Sequence, residues 1–140
     1  MAIQQLEHIL VLAQDLEETK NFYVDALGLH VGDRPPFKFA GYWLYLGDTP
    51  VIHLALAEGD PALQEYFDEA PQVSNAYTGA QSAVEHIAFT ATGHDELVAR
   101  LEHLNVPYKK ITVPLAGVRQ IFVHDPNGLK LEINFAAASE

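Results

Sequence analysis

Apolar and polar positions alternate with period two in eight short stretches, and three intervening stretches carry helical spacing. Leu6–Leu12 reads as a buried strand. Asp15 then stands as an N-cap before a helix to about Leu27, with Leu16, Phe22, Tyr23 and Leu27 apolar and Gly28 as its stop. Strands are predicted at Leu29–Val31, Ala40–Leu46 and Val51–Leu56, the last two joined by the turn Gly47-Asp48-Thr49-Pro50. The pattern then restarts with a strand at Val84–Phe89 and a helix at His94–Leu104. Tyr108–Val113, Gln120–Val123 and Leu129–Phe135 follow as strands, with Asp125-Pro126-Asn127-Gly128 as a turn. Between the two runs a short helix fits 62–69.

The chain therefore carries the order β-α-β-β-β twice, and this repeat decides the fold expectation. The expected class is α+β, with two βαβββ modules forming a curved, incompletely closed eight-stranded barrel. The modules are placed at 1–57 and 84–136, with 58–83 as linker and the tail beyond 136 frayed. The first strands align directly: "LEHILVL" at 6–12 against "VEHIAFT" at 84–90, with Glu-His-Ile identical.

The repeat puts His8 and His86 at equivalent positions. His53 and Glu132 stand at nearly equal offsets behind them, each in the last strand of its copy. Strand parity sends Ile52, Leu54, Leu129, Leu131, Ile133 and Phe135 to the helix-packed side, and His8, His53, His86 and Glu132 to the other side. Three imidazoles and a carboxylate on one concavity form a divalent metal set, suited to Fe, Zn, Ni, Mn or Co. Taken singly, a strand histidine is more often a satisfied interior polar group, and it is the recurrence that favours the metal. Of the other histidines, His30, His94 and His103 are expected at the surface and His124 in a structural role.

Parity also places Trp43 and Tyr45 toward the cavity, because Leu44 and Leu46 go to the core, and Gln120 and Phe122 likewise. These aromatics suit an apolar or aromatic small substrate, and equally suit plain barrel filling. Arg119 is a candidate for a substrate carboxylate, thiol conjugate or phosphate, with an exposed salt bridge as the bland alternative. Arg34 and Lys38 are weaker candidates of the same kind.

Composition narrows the field. Of 140 residues, 49% are apolar and 19% charged, which gives a globular chain with a core. Eight basic against nineteen acidic residues, a net charge of −11, disfavours nucleic acid as a partner. The absence of cysteine removes disulfides and thiolate chemistry and fits a cytoplasmic location. No apolar run has the length of a membrane helix, and the first ten residues do not read as a secretory signal.

The segments "EHILVLAQDLEETKNFYVDALGLHV", "YWLYLGDTPVIHLAL", "VEHIAFTATG" and "QIFVHDPNGLKLEINF" resemble the vicinal oxygen chelate superfamily: glyoxalase I, extradiol dioxygenases, methylmalonyl-CoA epimerase and the fosfomycin- and bleomycin-resistance proteins. The resemblance implies metal ligands at His8, His86 and Glu132. The fourth position is often Glu or Gln in the isomerases and lyases; here it is His53. The implied activity is Lewis-acid catalysis on vicinal oxygens, by a lyase/isomerase or an extradiol-type ring-cleaving dioxygenase, with Glu132 or His53 as base. The alternative is a metal-free small-molecule-binding protein of the bleomycin-resistance type, which an acidic chain would serve by capturing a cation. A thiol-transferring antibiotic-modifying enzyme has no demanding motif here. A homodimer is expected, with the modules pairing within or between chains.

Overall fold

Asp15 starts the first helix in the way its side chain predicts. Its backbone is extended and its Oδ1 accepts the Glu18 N–H at 2.9 Å, satisfying one of the helix's orphan donors. This geometry comes from a computed structural model, which describes residues 2–69, 84–113 and 117–136. The chain divides into two compact units, Met1–Ala76 and Tyr77–Glu140.

The first unit runs β1 (Ile9–Ala13), α1 (Leu16–Asn21, continued by a π-helical turn Phe22–Ala26), β2 (His30–Gly32), β3 (Gly41–Leu46), β4 (Thr49–Leu56) and α2 (Pro61–Glu69). Its sheet has the order β1-β4-β3-β2, with β1 parallel to β4 and the other pairs antiparallel. The buried stripe of the first helix is Thr19, Tyr23 and Ala26, two small residues flanking one ring. Leu16, Phe22 and Leu27 are only half-buried. Gly28, at φ 79°, closes the helix in the left-handed region that favours glycine, and its N–H bonds to the Val24 carbonyl.

The second unit repeats the plan: β5 (His86–Ala91), α3 (His94–His103), β6 (Lys109–Val113), β7 (Val118–His124) and β8 (Lys130–Ala136). Its sheet order is β5-β8-β7-β6, again with one parallel pair, β5 with β8. The βαβββ repeat read from the sequence is therefore the observed topology of each unit. The expected linker begins as α2, and its residues 70–83, like the tail beyond 136, lie outside the described residues.

Burial follows the strand parity closely in β8. Leu131, Ile133 and Phe135 are buried, while Lys130, Glu132 and Asn134 are half-buried on the other face. In α3 Leu97 and Leu101 are buried, and in β7 Ile121 and Val123.

Two expectations need correction. The stretch Leu6–Leu12 is not buried throughout: β1 starts at Ile9, Leu6 is 85% exposed, and Leu10 and Leu12 stand on an open face. Leu46 is 42% exposed rather than in the core, because the pairing of β3 with β4 shifts register between Leu44 and Tyr45.

The turn before β8 depends on one buried carboxylate. Asp125 Oδ1 accepts the N–H groups of Asn127 at 2.8 Å and Leu129 at 2.9 Å. Asp125→Ala strands both donors and is expected to cost about 1–3 kcal/mol. Urea unfolding would check this, and a loss below the lower figure would show that the turn forms without the side chain.

Candidate functional site

Within the first unit, β4 sits between β1 and β3, so side chains on its open face meet those of both neighbours. His53, in mid-β4, pairs across from Trp43 and stacks on it with ring centroids 4.0 Å apart and planes 10° apart. His8, immediately before β1, covers the other face of His53 at 3.7 Å and 13°. The result is a three-ring stack, His8–His53–Trp43. His8 Nδ1 lies 2.8 Å from Glu7 Oε1.

His53 Nε2 is buried and has no hydrogen-bond partner, a costly state for a polar atom. Burial, and then the neighbouring His8, hold the His53 pKa below the ordinary imidazole value, against a smaller opposite pull from the Pro50 carbonyl. His53 is therefore neutral at neutral pH and keeps a lone pair.

Within the second unit, His86 opens β5 and Glu132 lies in mid-β8. His86 Nδ1 is 2.6 Å from Glu85 Oε1, and His86 Nε2 is 3.5 Å from Glu132 Oε1. Glu85 also bonds Lys130; this cation first, and then His86, hold its carboxyl below the usual range. An ionised carboxylate can only accept, so the contact with Glu85 puts a proton on His86 Nδ1. Glu132 has its other oxygen, Oε2, bonded to Asn134 Nδ2 at 2.8 Å, and Asn134 Oδ1 accepts from Gln120 Nε2 at 3.0 Å. Phe122 faces Glu132 across the β7–β8 ladder.

The four candidate ligands thus occur as two pairs, His8 with His53 and His86 with Glu132, one pair in each unit. Among the described residues, no three His, Asp or Glu are grouped to hold a metal ion. The donor chemistry of the pairs nonetheless fits a divalent ion. A carboxylate on Nδ1 is the usual second partner of a metal-binding histidine, His53 Nε2 is an orphaned lone pair, and Glu132 supplies a hard oxygen. The His8 and His53 ring planes lie nearly parallel in the stack.

The remaining candidates separate. Trp43, Gln120 and Phe122 belong to these two groups. Tyr45 stacks on His30 at 5.7 Å, and its hydroxyl donates to the Asp33 carbonyl, away from the His8–His53–Trp43 stack. Arg119 lies within β7 with the parity of Ile121, and its Nη1 is 3.9 Å from Asp95 on α3. It therefore points to the helix side of the sheet.

His94, expected at the surface, is 6% exposed: it opens α3 after Gly93 and meets the Phe135 ring edge-on at 5.2 Å. His103 and His124 are exposed. Sequence reasoning missed Glu7 and Glu85, although their identity in the two "Glu-His-Ile" copies was the available signal. Among the described residues no helix is long and apolar enough to cross a membrane.

A family model described as Glyoxalase/Bleomycin resistance protein/Dioxygenase superfamily matches residues 5–133. The Escherichia coli protein "Uncharacterized protein YaeR" is 31% identical over 137 residues, covering 95% of this chain and 97% of its own. "Glyoxylase I 4" of Arabidopsis thaliana is 29% identical over 134 residues, 94% of this chain and 70% of that protein. Among solved structures, lactoylglutathione lyase from Agrobacterium tumefaciens superposes with a TM-score of 0.64 at 20% identity, covering 98% of this chain and 97% of its own.

Proposed function

Because the chain belongs to the glyoxalase/bleomycin resistance protein/dioxygenase superfamily, the vicinal oxygen chelate proteins, we propose that it is a metal-dependent enzyme acting on a small substrate with adjacent oxygens. The reaction is of the lyase/isomerase or the ring-cleaving dioxygenase type. His8, His86 and Glu132 are the proposed ligands of one divalent ion, with His53 as the fourth. The observation that carries this reading is that both repeat-equivalent histidines hold Nδ1 against the carboxylate of the preceding glutamate, Glu7 or Glu85, leaving Nε2 as donor.

A divalent ion, when bound, supplies Lewis-acid polarisation of two substrate oxygens. The chain's own residues supply orientation and proton handling. Asn134 pins Oε2 of Glu132 and leaves Oε1, directed at His86, as the oxygen able to take a proton. His53 is a second acceptor, kept neutral by burial. Trp43 covers one face of His53 and limits water there. A homodimer belongs to the same proposal, with sedimentation at the mass of two chains as its test. So does a cytoplasmic location, which the cysteine-free composition supports.

The test is the metal content of protein purified without chelator or tag-borne metal. About one divalent ion per chain is expected, with a higher melting temperature when the ion is restored after chelation. No ion, and no stabilisation by added Fe, Zn, Ni, Mn or Co, would sink the enzyme reading. That result would favour the metal-free binding protein, for which the aromatic stacking around His53 is the supporting observation.

A further inference from the structure

The first unit holds a second set of groups beside the histidine stack. The stretch Arg34-Pro35-Pro36-Phe37, between β2 and β3, forms a stiff arm: two prolines fix its φ angles, and the Phe37 N–H turns back to the Pro35 carbonyl at 2.7 Å. Phe37 stacks on Phe39 at 4.8 Å, and both meet Tyr66 of α2, at 5.7 and 5.2 Å. Asp60 ties the arm to the start of α2, accepting the N–H groups of Ala40 at 2.9 Å and Ala62 at 3.1 Å. Phe37 also reaches Trp43 at 6.5 Å, so the arm joins the wall that carries His53.

These rings enclose a cavity of about 220 Å³, bounded on its far side by His8 and His53. That is the volume of about seven waters, or of a single-ring molecule.

Arg34 is the one arginine or lysine on this cavity, and Glu7, the one acidic residue on it, is taken up by His8 Nδ1 at 2.8 Å. The Arg34 guanidinium carbon lies 5.6 Å from the Phe37 ring centre and 5.3 Å from that of Phe39, and Nη2 donates to the Phe39 carbonyl. Gly41 presses against the Leu54 carbonyl beside it; a Cβ at position 41 would meet that oxygen at 2.2 Å and Arg34 Nη1 at 2.9 Å. The guanidinium is thus held in place by backbone and rings. Among the described residues no carboxylate pairs with it, in a chain with nineteen acidic residues and only eight basic ones. One of its five donors is engaged by Phe39, and the fork remains open to a carboxylate.

We propose that this cavity binds a single-ring aromatic carboxylate, with the ring among Phe37, Trp43 and Tyr66 and the carboxylate on Arg34. The proposal names the substrate class of the face that carries His8 and His53, and in that sense rests on the functional reading above. It needs no metal, because none of the four groups it uses is a proposed metal ligand. The chain's single tryptophan, Trp43, lines the cavity and reports occupancy directly.

The experiment titrates the full chain with phenylacetate and with its uncharged isostere phenylacetamide, following Trp43 fluorescence in chelator and again after metal is restored. Phenylacetate is expected to give a saturable change and to bind at least about tenfold more tightly than the amide, the usual size of a charge-assisted contact. Arg34→Gln is expected to erase that preference while leaving amide binding within about twofold.

Equal affinity of the two compounds for the unaltered protein, no saturable change with either, or an undiminished preference in Arg34→Gln would each overturn the proposal. The comparison on the unaltered protein stands whether or not the variant folds. Carboxylate preference in a protein that takes up no metal would overturn the metal reading alone. Metal uptake without carboxylate preference would overturn this proposal alone.

Discussion

His86→Ala is expected to weaken divalent-ion binding by a hundredfold or more, while leaving the metal-free protein as stable as before. Loss of groups that merely orient a ligand costs 10–100-fold, and here the donor atom itself is removed. The stability half of the expectation follows from exposure. The His86 side chain is 38% exposed, and its partner Glu85 keeps its bond to Lys130 without it. A surface truncation of this kind changes folding free energy by no more than about 0.5 kcal/mol. Calorimetric titration with Zn²⁺ or Ni²⁺, beside urea unfolding in chelator, separates the two effects. Unchanged ion affinity would remove His86 from the ligand set. A large loss of stability in chelator would mean that His86 serves the fold instead.

The largest stability effect is expected from Phe135→Ala, at about 3–5 kcal/mol. Phe135 is fully buried in β8, on the same face as Leu131 and Ile133, and receives His94 edge-on. Truncation leaves a cavity that rigid neighbours on β7 and β8 cannot close. Against a typical total of about 5–15 kcal/mol, that is a large fraction. Leu12→Ala is the matched control: Leu12 sits in β1 but is 43% exposed, and its truncation should move the urea midpoint little. If the two substitutions cost the same, the assignment of inward and outward faces in these strands is wrong.

The pair also marks where alternation is a sound guide. In β8 every second residue is buried without exception, because the ladder from Val118–Ala136 to His124–Lys130 runs without a break in register. In β3 the same reasoning holds for Trp43 and Leu44 and fails at Leu46, because a register shift follows Leu44. Parity is a statement about an unbroken strand, and the shift is set by pairing with β4, which no local pattern reveals.

The histidines divide in the same way. The repeated Glu-His-Ile marked His8 and His86, and it contained their carboxylate partners as well. A neighbour in sequence is bound to be near in space, so that contact was open to reading. His94 was not, because it packs against Phe135, which lies forty-one residues away in the chain. Arg119 and Arg34 make the contrast sharper. Both were candidates for an anion. Arg119 proved to face α3, while Arg34 lines an aromatic cavity whose rings come from the arm before β3, from β3 and from α2.

By itself the sequence determined the duplicated βαβββ order, the core faces of the regular strands, the capped start of α1 and the residue types able to ligate a metal. These are consequences of periodicity and of near neighbours. Only the tertiary structure decided that His8, His53 and Trp43 stack, that Glu132 is pinned by Asn134, and that Arg34 closes an aromatic cavity. The stack and the cavity join side chains from different strands or loops, and Asn134 is itself held by Gln120 across the β7–β8 ladder; these distances are set by register and backbone approach, quantities that exist only once the chain has folded.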